Sequence, residues 1–572
     1  GEPTLTVNPT INLLTVKKVG NINVNPATIN PVDFMLTPKG LSGDHTRNFK
    51  PGSNDTYNLN GQNITVNSNT NYISTWGRVK GLDGVTTNVE VTAKDTRAFM
   101  IDEGIDSNDS VIKPFRYIGT ITLKESQNVG MDVQGSHTDY SDGTNPSMND
   151  IKKVANIKVI NEGNIIGVGA PNVKNQVAFG FNNFDASSNN TRTEMINRGN
   201  GKITLGAPES AGIQLRPEDP WSTNQGPRRG LNMMTGENSG TVKLNGYGSF
   251  GILTVKNRDL NKYKLDPNSK ELAKDRDYSD PSANYKVWIA KGGQIASRSQ
   301  EEFMSKIENT ASGKINVQSD DSVGVGILNT IQSVKINGEV NIGTEDPTSL
   351  DYSNKSGGTP NKVEGATGVY TQVATRPVRG REYARGSHGE QLFELDGVTP
   401  KVKQSYYDDH GLENITSTTT SYTYTDSDGK SKTVTNYKGV TIGTETVEVG
   451  GTVTLGDYAE NSYGLRNKTS QVEFTDTSKN YTTSGSITLT GNGKVYVKGK
   501  KNFGAVAEGG KYYREVKKAA DQYPERVEEV GRIDIAGLID VTGQESIGYV
   551  LKSGKGTNTG TIKVKGHQDN SA

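Results

Sequence analysis

The stretch GKINVQSDDSVG, residues 313–324, decides how the rest of the chain reads, because its skeleton returns again and again. That skeleton is a glycine, aliphatic residues two and four positions on (Ile315, Val317), Ser or Asn nine positions on (Ser322), and a second glycine eleven positions on (Gly324). Ungapped copies begin at Gly119 (GTITLKESQNVG), Gly201 (GKITLGAPESAG), Gly240 (GTVKLNGYGSFG), Gly493 (GKVYVKGKKNFG) and Gly537 (GLIDVTGQESIG). GTVTLGDYAENSYG from Gly451 is a copy with two extra residues, and half-copies start at Gly338 (GEVNI), Gly485 (GSITL), Gly531 (GRIDI) and Gly560 (GTIKV). Constrained positions agreeing at fixed offsets mark an internal repeat, and such a repeat outranks any single motif.

The residue types say what each unit builds. Ile315 and Val317 alternate with polar residues, as do Ile203 and Leu205 or Val453 and Leu455, which is the period-2 pattern of a short strand with one face buried. The Ser or Asn can hydrogen-bond nearby backbone, and the second glycine suits a corner that side-chained residues resist. Each unit therefore reads strand, corner, strand. The second strand shows in Met131 and Val133, Ile213 and Leu215, Val325 and Ile327, and Tyr549 and Leu551.

Neighbouring units lie as close as 23 residues (Gly537 to Gly560) or 25 residues (Gly313 to Gly338), too short for separate domains. Copies pointing the same way satisfy their backbone groups by stacking in parallel. The expected fold is all-β: a right-handed parallel β-helix, the hand following the rule for parallel crossovers, with loop, hairpin and short helical insertions. About fifteen coils would make a rod on the order of 70 Å long.

Composition agrees. The apolar share of 31% rises to about 43% once the 67 glycines are added, close to a globular chain. A length of 572 residues would ordinarily suggest several domains, but a solenoid escapes that limit. Equal counts of 64 basic and 64 acidic residues give no net charge to draw the chain to nucleic acid or an anionic membrane, and neither is expected as a partner. There is no cysteine, which suits a chain exported unfolded. No apolar run approaches the roughly 18 residues of a membrane span, and GEPTLTVNPT at the start is no basic-then-apolar signal peptide. Either the protein is soluble, or its export and anchoring segments lie outside this sequence.

In chain order, residues 1–87 read as a capping region and first coils, 88–342 as β-helix with insertions, 343–450 as an insertion standing off the rod, and 451–572 as β-helix again. NVEVTAKDTRAFM (88–100) is a degenerate unit with Asn88 and Ala98 in the glycine places. Insertions are expected near 134–152, 182–198, 216–238 and 256–310. In the last of these, Ser299 and Glu302 form a capping box ahead of Phe303, Met304 and Ile307, which predicts a short helix. SYTYTDSDGKSKTVTNY (421–437) alternates on both sides of Asp428-Gly429 and predicts a hairpin. KYYREVKKAADQYPERVEEV (511–530) reads as helix up to Pro524.

Signals for chemistry are weak. Residues 246–251 fit GxGxxG, but no helix follows to present its N-terminus to a phosphate, so they read as solenoid corners. Asp426-Ser427-Asp428-Gly429 lacks the closing Glu of a calcium loop. His45, His137, His388, His410 and His567 share no metal-ligand spacing, and neither metal nor cofactor is expected. No GxSxG elbow occurs. Asp320-Asp321 and Asp408-Asp409-His410 could supply paired carboxylates, though adjacent acids more often keep a turn in water. As binding candidates, Arg and aromatic residues on insertions stand out: Trp221, Arg228 and Arg229, then Arg376, Arg379, Arg381, Tyr383 and Arg385, with Tyr406 and Tyr407 further on. These types are enriched at binding hot spots, Arg for forked hydrogen bonds and the rings for rigid contact area.

The units GTVTLGDYAENSYG, GKITLGAPESAG and GTIKVKG resemble the passenger repeats of large type V autotransporter adhesins, most closely the fusobacterial outer-membrane adhesins. The resemblance covers residues 88–572 loosely and is clearest over 119–345 and 440–566. It implies a non-enzymatic, monomeric passenger on the bacterial surface, with a signal peptide before it and an outer-membrane β-barrel after it. Its partner would be a host-cell receptor, a glycan or a surface protein of another bacterium. Two other classes remain: a polysaccharide-degrading enzyme on the same architecture, and a structural spacer whose binding tip lies elsewhere.

Overall fold

The computed structural model describes residues 61–68, 72–74, 83–101, 114–133, 155–181, 191–215, 232–254, 306–327, 333–347, 359–371, 446–468, 486–508, 532–552 and 554–565. It also describes the short strands at 414–415, 421–425, 431–435, 440–441, 470–472, 481–483, 511–516 and 525–530. Among these residues there is no α-helix. Three long sheets contain 12, 11 and 10 strands, and successive strands within each sheet come from successive turns of the chain. All neighbours in these sheets pair in parallel, as Lys314–Val317 does with Thr241–Leu244 on one side and Glu339–Ile342 on the other. The fold is a parallel β-helix, and its twelve coils make a rod on the order of 50 Å long.

The repeat explains two of the three sheets. Its leading strand forms the first sheet (Lys202–Leu205, Thr241–Leu244, Lys314–Val317), and the strand after the corner forms the second (Ala211–Leu215, Phe250–Thr254, Val323–Ile327). The third sheet precedes each unit, as in Asn232–Asn238 and Lys306–Asn309. The half-copies at Gly485 and Gly531 belong to it, being Ser486–Leu489 and Arg532–Ile535, and are not coils of their own. Three strands per turn, rather than two, lower the coil number.

The core is a set of columns. Ile203, Val242, Ile315, Val340, Val453, Val495 and Ile539 stand opposite one another coil after coil, and all are 0% exposed. Leu205, Leu244, Val317, Leu455 and Val541 form a second buried column. Polar columns run beside them. In the third sheet, Asn161 Nδ2 donates to Asn197 Oδ1, Asn197 Nδ2 to Asn238 Oδ1, and Asn238 Nδ2 to Asn309 Oδ1, each at 2.9 Å. Farther on, Ile336, Val449, Leu489 and Ile535 take over that position.

The repeated Ser or Asn does bond backbone, and its partner lies in the preceding coil. Ser210 N donates to Ser249 Oγ, Ser249 N to Ser322 Oγ, and Ser462 N to Asn502 Oδ1. The left-handed residue of the corner is the one just before it: Gln127, Glu209, Gly248, Asp321, Gly365, Asn461, Lys501 and Glu545 all have φ between 48° and 70°. Gly324 and Gly464, expected to turn the corner, have no such φ and sit inside second-sheet strands. Because glycine already fills the left-handed place in two coils, Glu545→Gly should leave the melting temperature nearly unchanged. Glu545→Val should cost about 1 kcal/mol or more, since a β-branched side chain resists that region. Equal melting of the two variants would refute this.

Three expectations need correction. Thr87, not Asn88, stands opposite Gly119, because Val89 pairs with Ile121. Residues 306–309 form a third-sheet strand in which Ile307 is buried between Gly236 and Val334, so the predicted helix does not extend through Ile307; residues 299–305 lie outside the described residues. The helix expected up to Pro524 does not begin at Lys511: Lys511–Val516 is a strand that pairs antiparallel with Glu525–Val530, and residues 517–524 lie outside the described residues. Backbone pairing overrides the helical propensity of the Lys, Arg and Glu in these strands.

Candidate functional site

The three corners of the coil differ in what they carry. From third to first sheet the link is short, as at 198–201, 239–240 and 536–537. From first to second sheet it is the repeat's own corner, as at 206–210, 245–249 and 542–546, lengthened at 343–362. From second to third sheet the chain runs through 75–82, 102–114, 134–154, 182–190, 216–231, 255–305, 328–332, 372–445, 469–485 and 509–531, of which only 328–332 is as short as the other corners. Each of the four insertions expected between residues 134 and 310 therefore leaves the rod along a single edge.

Trp221, Arg228 and Arg229 lie on 216–231. Arg376, Arg379, Arg381, Tyr383, Arg385, Tyr406 and Tyr407 lie on 372–445. All ten are outside the described residues, so only the places where their segments leave and rejoin the rod are fixed. The first leaves after Leu215 and the second after Thr371, both in the second sheet and three strands apart, about 14 Å along the rod. The block 343–450 gives its ends to the solenoid: Thr367–Thr371 is a second-sheet strand and Thr446–Val449 a third-sheet strand. Between them, Ser421–Thr425 pairs antiparallel with Ser431–Thr435, the predicted hairpin, and Asn414–Ile415 with Val440–Thr441 outside it.

The second sheet is buried on both faces from Thr96–Ile101 to Phe503–Glu508, which the sequence reading missed, while its last strand, Ile547–Lys552, is partly exposed. Val129, Val177, Phe250, Leu253, Val323 and Tyr370 form an apolar cluster separate from the central core. Two ion pairs lie in this sheet, one fully buried and one, through Glu508, at its margin. Arg97 meets Asp132 at 3.1 Å, both about 1% exposed, and lies 4.6 Å over the Tyr72 ring. Arg466 meets Glu508 at 3.2 Å between the Tyr463 and Tyr370 rings. Burial pushes the Arg466 guanidinium below its ordinary range. Each charge faces an opposite one, as an interior requires, although the Arg97 guanidinium nitrogens make no hydrogen bond of good geometry.

Of the carboxylates offered as acid and base, Asp320 and Asp321 are built into the corner. Asp320 is fully buried, and its Oδ1 accepts from Glu364 N at 2.8 Å while its carbonyl accepts from Gly248 N. Asp321 occupies the left-handed corner position. Asp408, Asp409 and His410 lie outside the described residues. Glu237 and Glu308 stand opposite one another in the third sheet, and burial first, then the Glu308 charge, raises the Glu237 carboxyl above its ordinary range. Among the described residues no group of three His, Cys, Asp or Glu is placed to hold a metal. Residues 246–251 are solenoid corner and strand, as expected, with Gly248 left-handed. Compared with protein-family models, curated proteins and solved structures, the chain matches none, so its own geometry carries the functional reading.

Proposed function

We propose that the chain is the exposed passenger of a surface adhesin, a rigid β-helical stalk that displays variable loops to a host-cell receptor, a glycan or another bacterium's surface protein. The observation that carries this reading is the confinement of nearly all long connections to the edge between the second and third sheets. Each coil is held by its neighbours, so an insertion at one corner leaves the stack intact. Loops on a rigid scaffold are where binding residues concentrate. On this reading the segments that carry Trp221, Arg228 and Arg229, and Arg376 to Tyr407, leave the rod from one edge, three coils apart. Anchoring to an outer membrane by a β-barrel outside this sequence is part of the same proposal.

Replacing residues 373–444 with a short Gly-Ser linker tests it. The variant should keep the β-type circular dichroism and melting of the parent, because the coil strands on either side remain, yet attach to cells several-fold less. Undiminished attachment, with loss instead in Trp221→Ala or Arg229→Ala, would move the site to 216–231. Attachment indifferent to all three changes would leave the chain a spacer.

A further inference from the structure

A second surface lies on a different corner of the rod, between the first and second sheets, where four successive coils build an open groove of about 520 Å³. Its walls include Lys362 from one coil, Asp457 from the next, Lys498 and Lys500 from the third, and Thr542 and Gln544 from the fourth. We infer that this groove binds an acidic polysaccharide, its lysines pairing with carboxylate or sulfate groups and its Asp457, Thr542 and Gln544 meeting sugar hydroxyls.

The groove is built into the backbone. A short parallel ladder runs along this corner, pairing Val363–Glu364 with Ala459–Glu460 and continuing as bridges from Glu460 to Lys500 and from Lys500 to Gln544. Lys500 N donates to Ala459 O, and Gln544 N donates to Gly499 O at 2.9 Å. The buried Asn502 side chain holds the Lys498 carbonyl at 2.7 Å and that of Ala459 at 2.8 Å. The lysines thus spring from a fixed ridge, so little backbone order has to be gained on binding. Earlier in the rod the same corner is joined from coil to coil by single backbone hydrogen bonds, as Glu209 N to Tyr247 O and Gly248 N to Asp320 O, and from Val363 on these become paired strands and bridges.

Charge and chemistry choose the ligand. Neither Lys498 nor Lys500 forms an ion pair with another described residue, and three lysines face one carboxylate in the walls. Glu460 stands next to Lys500 in the ladder but is not part of the walls. A chain with no formal net charge lacks the broad basic field that nucleic acid needs, and no aromatic ring lines the groove for bases to stack on. Hydroxyl-bearing anions remain. A groove crossing four coils extends about 14 Å along the rod, long enough for more than one sugar ring.

The test measures binding of the whole chain, at low salt, to a fluorescent heparin oligosaccharide, to a carboxylate-only oligouronate of equal length, and to single-stranded DNA of matched charge. Binding to at least one oligosaccharide is expected, tenfold or more weaker in Lys498→Ala/Lys500→Ala and within twofold of the parent in the charge-matched Lys314→Ala/Lys335→Ala. Which oligosaccharide binds tells sulfate from carboxylate. The exposed single change Lys498→Glu gives the same reading should the double variant fold poorly. Asp457→Asn should also weaken sugar binding, whereas pure charge attraction would strengthen on losing that acid. Binding equal in the two double variants, DNA bound as tightly as sugar, or no oligosaccharide bound at all would overturn the inference. The variant lacking 373–444 should bind these sugars unchanged, so failure here and failure of the loop reading are separable.

Discussion

Asn238→Leu should destabilise the rod by on the order of 3 kcal/mol, although the two side chains share the same branched framework of four heavy atoms, because the site is fully buried and leucine is both apolar and bulkier. Asn238 accepts from Asn197 Nδ2, donates to Asn309 Oδ1, and also donates to the Lys314 carbonyl at 3.2 Å. Leucine leaves the Asn309 oxygen and that carbonyl without this donor, and leaves Asn197 Nδ2 with only its 3.3 Å contacts to the Gly201 and Thr241 carbonyls. Each buried polar group stranded in this way costs about 1–3 kcal/mol, and an apolar side chain recovers only part of it. Since coils are coupled mainly to their neighbours, hydrogen-exchange protection should fall first in Asn232–Asn238, Thr241–Leu244 and Lys306–Asn309. The control is Lys314→Ala, whose side chain is 57% exposed and whose cost should stay within about 0.5 kcal/mol. Equal melting of the two variants would remove the asparagine column from the account of stability.

That column shows where the sequence is silent. Asn161, Asn197, Asn238 and Asn309 are separated by 36, 41 and 71 residues, because the insertions between them vary, so no fixed period exposes them. The first-sheet rows were legible because a glycine precedes each strand and a corner of nearly constant length follows it. The third sheet was legible in part: Ile533 and Ile535, or Ile487 and Leu489, alternate as plainly as Ile315 and Val317. Its copies read as further coils because the same pattern stands for either sheet. The hairpin at Asp428-Gly429 was readable from turn chemistry alone. The strands at 511–516 and 525–530 were not, since their residues favour helix and only pairing with one another makes them strands. The buried Arg97 and Arg466 escaped for a related reason. An arginine in a strand reads as the wet face, and nothing local says that both faces of the second sheet are covered. The lysine groove needed the ladder, which joins residues about 40 apart.

Gly324→Val should be the more damaging of two substitutions at the second repeated glycine, costing about 3 kcal/mol or more against about 1–2 kcal/mol for Gly324→Ala. The cause is proximity and not backbone conformation. A Cβ at Gly324 would lie 2.6 Å from the Gly368 carbonyl oxygen and 2.6 Å from Val340 Cγ1, both far inside van der Waals contact. The same geometry recurs at Gly251, Gly368, Gly464 and Gly504, each against the next coil's carbonyl and an aliphatic side chain of the first sheet. Second-sheet strands pass this close to the core because each turns two consecutive positions inward, the glycine and the aliphatic residue after it. Alanine is tolerated at this place in the rod: Ala98 stands opposite Gly130, Ala178 follows in the next coil, and both are fully buried. A single methyl can thus be accommodated by small shifts of neighbouring strands, while the two further methyls of valine drive into the Val340 column and a carbonyl that cannot move without breaking its ladder. The measurement is urea or thermal unfolding of both variants beside the parent. A valine variant as stable as the alanine one would mean that the coil yields at this point, and the repeated glycine would then need another explanation.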